Sequence, residues 1–221
     1  MNKNIGGLAA FFNKNFLRLF TVVIICFLAS GCKLEKQRIL VIKPDIKTSK
    51  DAIVARAYPT KNYGRLEILH LISRIKNDSL IDDNRILIYF DLVKLSRFSK
   101  IDSAYFYLYP NGKKDFGITD FQVCRIVEPW SDERVNWNNQ PKMDTINFLT
   151  VKGQNSEIAN PYKIDVTNFI EGYVSNKTRN FGFLLKFCNE DSSGKRLNFY
   201  SGDAYITSKR PELQIFYRSY F

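Results

Sequence analysis

The chain holds a single histidine, His70, and no Gly-x-Ser-x-Gly turn. A serine or cysteine triad therefore has no base to spare. His70 falls in the apolar run 66–72, on the face of Leu66, Ile68 and Ile72, where it reads as a packed side chain. Cysteines number four in 221 residues, Trp two and Gly 11. There is no internal repeat, no low-complexity tract and no EF-hand spacing. No apolar run reaches the roughly 20 residues that a transmembrane helix needs. The first 31 residues contain no acidic side chain at all.

That acid-free stretch carries Lys3, Lys14 and Arg18, then an apolar run from Phe20, and ends in Leu28-Ala29-Ser30-Gly31-Cys32. A basic start, a short apolar centre and small residues before a cleavage point describe a secretory signal over residues 1–31. The terminal small-small-Cys pattern resembles a bacterial lipobox. It implies cleavage before Cys32 and lipid attached to that residue, leaving a protein outside the cytoplasm, at the outer membrane or cell surface. Residues 32–44 then read as a lipid-anchored tether and leading strand, and 45–221 as the folded domain.

Removing the leader leaves 190 of the 221 residues, enough for one domain with a proper core. Three of the 33 Lys and Arg leave with it, so 30 face 22 acids and the remainder is still cationic. Thirteen Phe, 12 Tyr and 2 Trp exclude disorder. A basic surface favours anionic partners. Nucleic acid is not expected outside the cytoplasm, which leaves lipid headgroups and acidic polysaccharide such as a uronate polymer. Cys124 and Cys188 remain as candidates for a disulfide. Strand alternation sets Cys124 opposite Arg125 and Cys188 with Lys186, one inward and one outward, so no bridge is expected.

Short runs rich in Ile, Val, Phe and Tyr recur at 38–42, 52–57, 66–72, 85–92, 104–109, 121–127, 148–151, 162–166, 181–187, 197–200 and 213–217. Turn residues separate them, among them Asn62-Tyr63-Gly64, Asp82-Asp83-Asn84, Pro110-Asn111-Gly112 and Ser201-Gly202-Asp203. Strands at this spacing predict an all-β, antiparallel, jelly-roll-like sandwich. One segment has helical spacing, with Phe169, Ile170, Tyr173 and Val174 apolar, and Asp165 or Thr167 is placed to cap it.

The order of these pieces resembles carbohydrate-binding module family 96, the DNRLRE domain of bacterial and archaeal surface proteins. The likeness runs over about residues 45–218. It starts at Asp51-Ala52-Ile53-Val54 and Asn62-Tyr63-Gly64 and passes through Arg85-Ile86-Leu87-Ile88-Tyr89-Phe90-Asp91-Leu92. Its most specific piece is Trp130-Ser131-Asp132-Glu133-Arg134-Val135-Asn136-Trp137-Asn138-Asn139-Gln140-Pro141. Phe181-Gly182-Phe183-Leu184-Leu185 and Arg210-Pro211-Glu212-Leu213 close it. The chain departs from the pattern in a long charged segment at 73–84, in an extra strand-like run before Asp51, and in Tyr173 where Trp is expected. The resemblance implies a sandwich without catalytic machinery, of a kind that accompanies polysaccharide lyases and in some members binds alginate-type uronates.

Trp130 and Trp137 read as anchors that pin their loop to the core, with the amides of Asn138 and Gln140 serving backbone groups. Arg85 is expected to pair with a carboxylate such as Asp91 or Asp165. For an acidic glycan, cations beside an aromatic are wanted, and Lys61, Tyr63 and Arg65 offer that in one turn. Other clusters are Lys94 with Arg97 and Lys100, Lys113-Lys114 with Phe116, Lys177 with Arg179, and Lys209-Arg210. No cofactor is called for, although Asp82-Asp83, Asn189-Glu190-Asp191 and Asp203 supply oxygens for a structural calcium. Three functions stay open: a glycan-binding module, a structural or protein-interaction lipoprotein with the same sandwich, and a small polysaccharide lyase.

Overall fold

The computed structural model describes residues 36–76, 80–112, 119–154, 160–190 and 194–219. Cys32 and the leader, Lys113-Lys114 with Phe116, and Asp191 lie outside these residues. Eleven strands are described: β1 Gln37–Ile42, β2 Asp51–Ala55, β3 Ile68–Lys76, β4 Leu80–Ile88, β5 Lys100–Leu108, β6 Phe121–Ile126, β7 Met143–Val151, β8 Tyr162–Asp165, β9 Phe183–Phe187, β10 Lys195–Tyr200 and β11 Glu212–Arg218. One α-helix, α1 Thr167–Val174, falls between β8 and β9. Every paired run is antiparallel. One sheet has the order β1-β11-β5-β8, and the other β10-β3-β4-β9-β6-β7, with β2 paired to the C-terminal half of β4. Packed face to face, the two make the expected β-sandwich.

The burial patterns say which sheet faces are open. In β5 the alternation is strict from Ala104 on: Ala104, Phe106 and Leu108 are fully buried while Tyr105 and Tyr107 point the other way. That is the signature of a sheet covered on one side. In β2, and in Ile86-Leu87-Ile88 and Phe183-Leu184-Leu185, burial is continuous. The large sheet is therefore covered on both faces at its centre. Its inner side meets the main core, where Phe106 stacks on Phe183 at 5.5 Å and Phe90 meets Phe106 edge-on at 5.4 Å. Phe121, Tyr162 and Phe199 form a second aromatic nest in the same core. Its outer side buries Ala52, Val54, Leu87 and Leu184 beneath Trp130, Trp137 and Phe181. Among the described residues the main core and its packed margin lie between Leu40 and Tyr217, inside the compact unit that begins at Lys36.

Several local expectations need correction. Residues 73–76 and 80–84 are strand and not charged loop: β3 runs on to Lys76 and β4 starts at Leu80, with Arg74 opposite Asp82 and bonding it at 2.7 Å and Arg56 holding Asp83 at 3.1 Å. Opposite charges placed across a ladder stabilise the strands that a turn reading had cut short. His70 does lie on the face of Ile68 and Ile72, but the core is lined by Leu69 and Leu71, and the half-buried ring meets Asn198 of β10 at 2.8 Å. Cys124 and Cys188 are unpaired, though not through opposite facing. Cys124 is opposite Leu184, and Cys188 follows four residues later on that same side, which puts them about 13 Å apart along the strand. Burial pushes the Cys124 thiol up to about 11. The helix begins at Val166 without a side-chain cap, and Asp165 instead takes the Thr167 N–H at 3.0 Å while the Thr167 hydroxyl accepts from Ala104.

One buried acid has a measurable consequence. Asp51 is 3 % exposed, and its Oδ2 accepts from the Gly202 N–H and the Ser49 hydroxyl, each at 2.8 Å, while Oδ1 has no partner. Burial raises its pKa to about 6, with Asp203 and Asp132 adding repulsion. The folded state thus holds this proton more tightly than the unfolded chain, so the stability contributed by Asp51 is present in full below about pH 4 and is lost as pH rises through 6. Thermal unfolding at pH 4.5 and 7.5 should show wild type losing about 2 kcal/mol more over that interval than Asp51→Asn, which has no proton to lose.

Candidate functional site

The Trp130–Gln140 segment is held as a lid on the large sheet. Trp130 Nε1 donates to the Phe181 carbonyl at 2.8 Å, and both indoles pack on the apolar patch beneath. Asn136 Oδ1 accepts from the N–H groups of Asn138 and Asn139, Asn139 Nδ2 donates to the Arg134 carbonyl, and Gln140 Nε2 donates to Trp137 O. Asn138 takes part through its N–H, which also meets Pro59 O at 3.1 Å. The Asn62 amide donates to the carbonyls of Asp132 and Val135, both at 2.7 Å. Thus Asn62-Tyr63-Gly64 clamps the lid from its own side.

Arg85 pairs with Glu190, not with Asp91 or Asp165. Its Nε and Nη2 each reach a Glu190 oxygen at 2.8 Å, Nη1 donates to Gln140 Oε1 at 3.0 Å, and the guanidinium lies 4.7 Å from the Trp137 ring centre. Asp91 takes the Val93 N–H and shapes the turn that follows β4. The reason is register: Arg85 is on the outer face of the large sheet, so its partner comes from the loop after β9. Lys50 lies over Trp130 at 4.6 Å and over Tyr89 at 5.0 Å. Each indole therefore has the core on one side and a protein cation on the other, which leaves little for a sugar.

Lys61 does sit over Tyr63, at 5.0 Å, but Tyr63 packs against the core and bridges Ile53, and Arg65 turns to Glu133 at 3.6 Å. The calcium donors are dispersed: Asp82, Asp83 and Glu190 are held by Arg74, Arg56 and Arg85, and Asp203 stands with one buried oxygen unpartnered. Among the described residues no three metal-ligating side chains converge.

What alternation leaves open is the outer face of the four-stranded sheet. Tyr105, Tyr107 and Tyr109 succeed one another along β5 and its end at about 6.7 Å spacing, all half-buried. Phe216 of β11 meets Tyr105 edge-on at 6.2 Å. Cations frame this row. Lys163 Nζ of β8 is 4.0 Å from the Tyr105 ring centre, and Lys43 and Lys209 approach Tyr109 at 5.5 and 5.6 Å. Lys43 also pairs with Glu212 at 2.9 Å, and Arg218 with Asp102. Lys163 is exposed and rests on a ring rather than a carboxylate, so it can lift toward an incoming anion. Burial raises the Tyr109 phenol above its ordinary value, the wrong direction for a proton-abstracting tyrosinate. The face offers flat rings with ammonium groups at their margins, a chemistry suited to binding.

Sequence reasoning missed this surface because four separated segments build it. A signal was present: Tyr105-Phe106-Tyr107-Leu108-Tyr109 alternates aromatic with core residues, and polar side chains would be the usual choice on an idle outer face. Comparison with known proteins agrees with the architecture. No curated protein matches the chain. The model of Carbohydrate-binding module family 96 matches residues 43–217, nearly the whole sandwich from just after β1 into β11. The chain belongs to carbohydrate-binding module family 96.

Proposed function

We propose that this protein is a non-catalytic, lipid-anchored module that holds acidic polysaccharide, of the uronate type, outside the cytoplasm. The observation that carries the reading is the Tyr105–Tyr107–Tyr109 row on an open sheet face with Lys163, Lys43 and Lys209 at its margins. A pyranose ring presents C–H groups to such rings, and a uronate carboxylate meets the ammonium groups beside them. Membership in a carbohydrate-binding family supports the polymer as partner. The excess of Lys and Arg supports its negative charge. The lipobox-like Leu28-Ala29-Ser30-Gly31-Cys32 supports an anchor on Cys32 and a place at the outer membrane or cell surface.

Affinity electrophoresis through gels containing alginate, pectate or a neutral glucan tests the proposal. Retardation by the uronates is expected, and it should fade as salt rises, because exposed charges are screened beyond about 10 Å at 0.1 M. Equal mobility in all gels, with co-purification of one protein, would replace this reading by a protein-interaction role. Growth of ultraviolet absorbance from unsaturated uronate would make the protein a lyase.

A further inference from the structure

The segment between β4 and β5 exposes apolar groups in a way that packing does not require. Leu92 packs against the core and Leu95 is buried, and two tight turns hold the rest: the Leu95 N–H bonds Leu92 O at 2.8 Å and the Ser99 N–H bonds Ser96 O at 2.9 Å. Pinned this way, the loop turns Val93 and Phe98 outward at 81 and 69 % exposure. Lys94, Arg97 and Lys100 are exposed among them, and the Arg97 guanidinium lies 4.9 Å from the Phe98 ring centre. No carboxylate is interspersed from Leu92 to Lys100. Beside the loop, β1 adds Ile39 and Val41, both more than half exposed, and a groove of about 250 Å³ runs between the two.

We infer that this loop and the adjacent flank of β1 form a seat for an anionic lipid bilayer, which orients the module on the membrane that carries it. The occupant follows from three observations. From Leu92 to Lys100 the exposed set pairs apolar side chains with cations, and Asp91, the one acid lining the groove, is engaged by the Val93 N–H, which leaves the combination that an interface of headgroups and acyl chains selects. The chain entering β1 leaves Cys32 only five residues before Gln37, a reach of at most about 18 Å. Gln37 in turn bonds Asp102, next to Lys100 where the loop ends, so tether and loop share one end of the sheet. By register Val41 shares a sheet face with Gln214 and Tyr105, so the seat takes only the β1 edge of that face and leaves the tyrosine row, two strands further in, to a polymer. The inference rests on the anchored reading of Cys32, but the test below does not.

The domain from Lys36 onward, carrying an N-terminal histidine tag, is tethered to vesicles through nickel-chelating lipid, which supplies the anchor artificially. Phe98→Trp places a fluorophore at the loop tip. On vesicles containing phosphatidylglycerol with brominated acyl chains, its added emission should be quenched at least twofold. Tyr107→Trp on the sugar face should be unaffected. Lys94→Glu with Arg97→Glu should abolish the quenching while the melting temperature is retained. No quenching at position 98, equal quenching on purely neutral phosphatidylcholine, or self-association through β1 without quenching would each overturn the proposal. Acylation is read separately, by mass spectrometry of the peptide bearing Cys32, so either result can fail without touching the other.

Discussion

Replacing Tyr105 and Tyr107 together with alanine is expected to weaken uronate binding about a hundredfold while leaving the fold intact. Each ring lost from a stacking surface costs about 1.4 kcal/mol, which is a factor of ten, and the two rings lie on one row. Both side chains point out of the sandwich, and their neighbours Phe106 and Leu108 keep the core filled. The melting temperature should therefore move by only a few degrees. Lys163→Ala should act differently. Among the described residues its ammonium belongs to no ion pair that would need repair, so affinity should fall several-fold at low salt and hardly at all at high salt. The turn at Lys61 and Arg65 is the control. Arg65 already faces Glu133, and alanine at both positions should change retardation by no more than about twofold. Isothermal titration with a defined oligouronate, or the gels described above, would separate these cases. A hundredfold loss at Lys61 and Arg65 with none at the tyrosines would move the site to the other end of the chain.

How much of this could be read without coordinates differs between strands and faces. All eleven apolar runs became strands, and the helix fell on Phe169, Ile170, Tyr173 and Val174, because alternation and 3.6-residue spacing are local properties. The failures were of three physical kinds. Charge pairs across a ladder were taken for a loop at 73–84, since Arg74 and Asp82 look solvated until they are seen side by side. At His70 the grouping with Ile68 and Ile72 was right but the core face was that of Leu69 and Leu71, and between Cys124 and Cys188 faces were misassigned because β6 and β9 are buried on both sides there and give little alternation. The partner of Arg85 was misplaced because Glu190 lies 105 residues away and only register brings it near. The tyrosine row shares that last difficulty: β5 alone announced it, while Lys163, Lys43 and Phe216 came to it through the sheet order β1-β11-β5-β8.

Gly64→Ala tests the other face of the molecule, and its expected effect is on stability. A β-carbon at Gly64 would lie 2.0 Å from the Asp132 carbonyl oxygen and 2.7 Å from its carbon, and neither can yield as a flexible side chain would. The same carbonyl accepts from Asn62, whose amide also holds Val135 O, so relief of the clash pulls the clamp off the lid. Val135 and both indoles then lose their seat over Ala52, Val54, Leu87 and Leu184. A backbone clash with partial loss of apolar cover should cost about 3 kcal/mol, or about 10 °C in melting temperature for a domain of this size. Gly112→Ala provides the comparison. There φ is +82° but nothing lies within 4 Å of the added carbon, so only the left-handed backbone resists, at about 1 kcal/mol. If Gly64→Ala proved as mild as Gly112→Ala, the lid would not depend on the Asn62 clamp. Because lid and tyrosine row are on opposite sheets, Gly64→Ala molecules that remain folded should still bind uronate as wild type does. That independence is what separates a structural motif, Asn62-Tyr63-Gly64 with its two tryptophans, from the surface that meets the polymer.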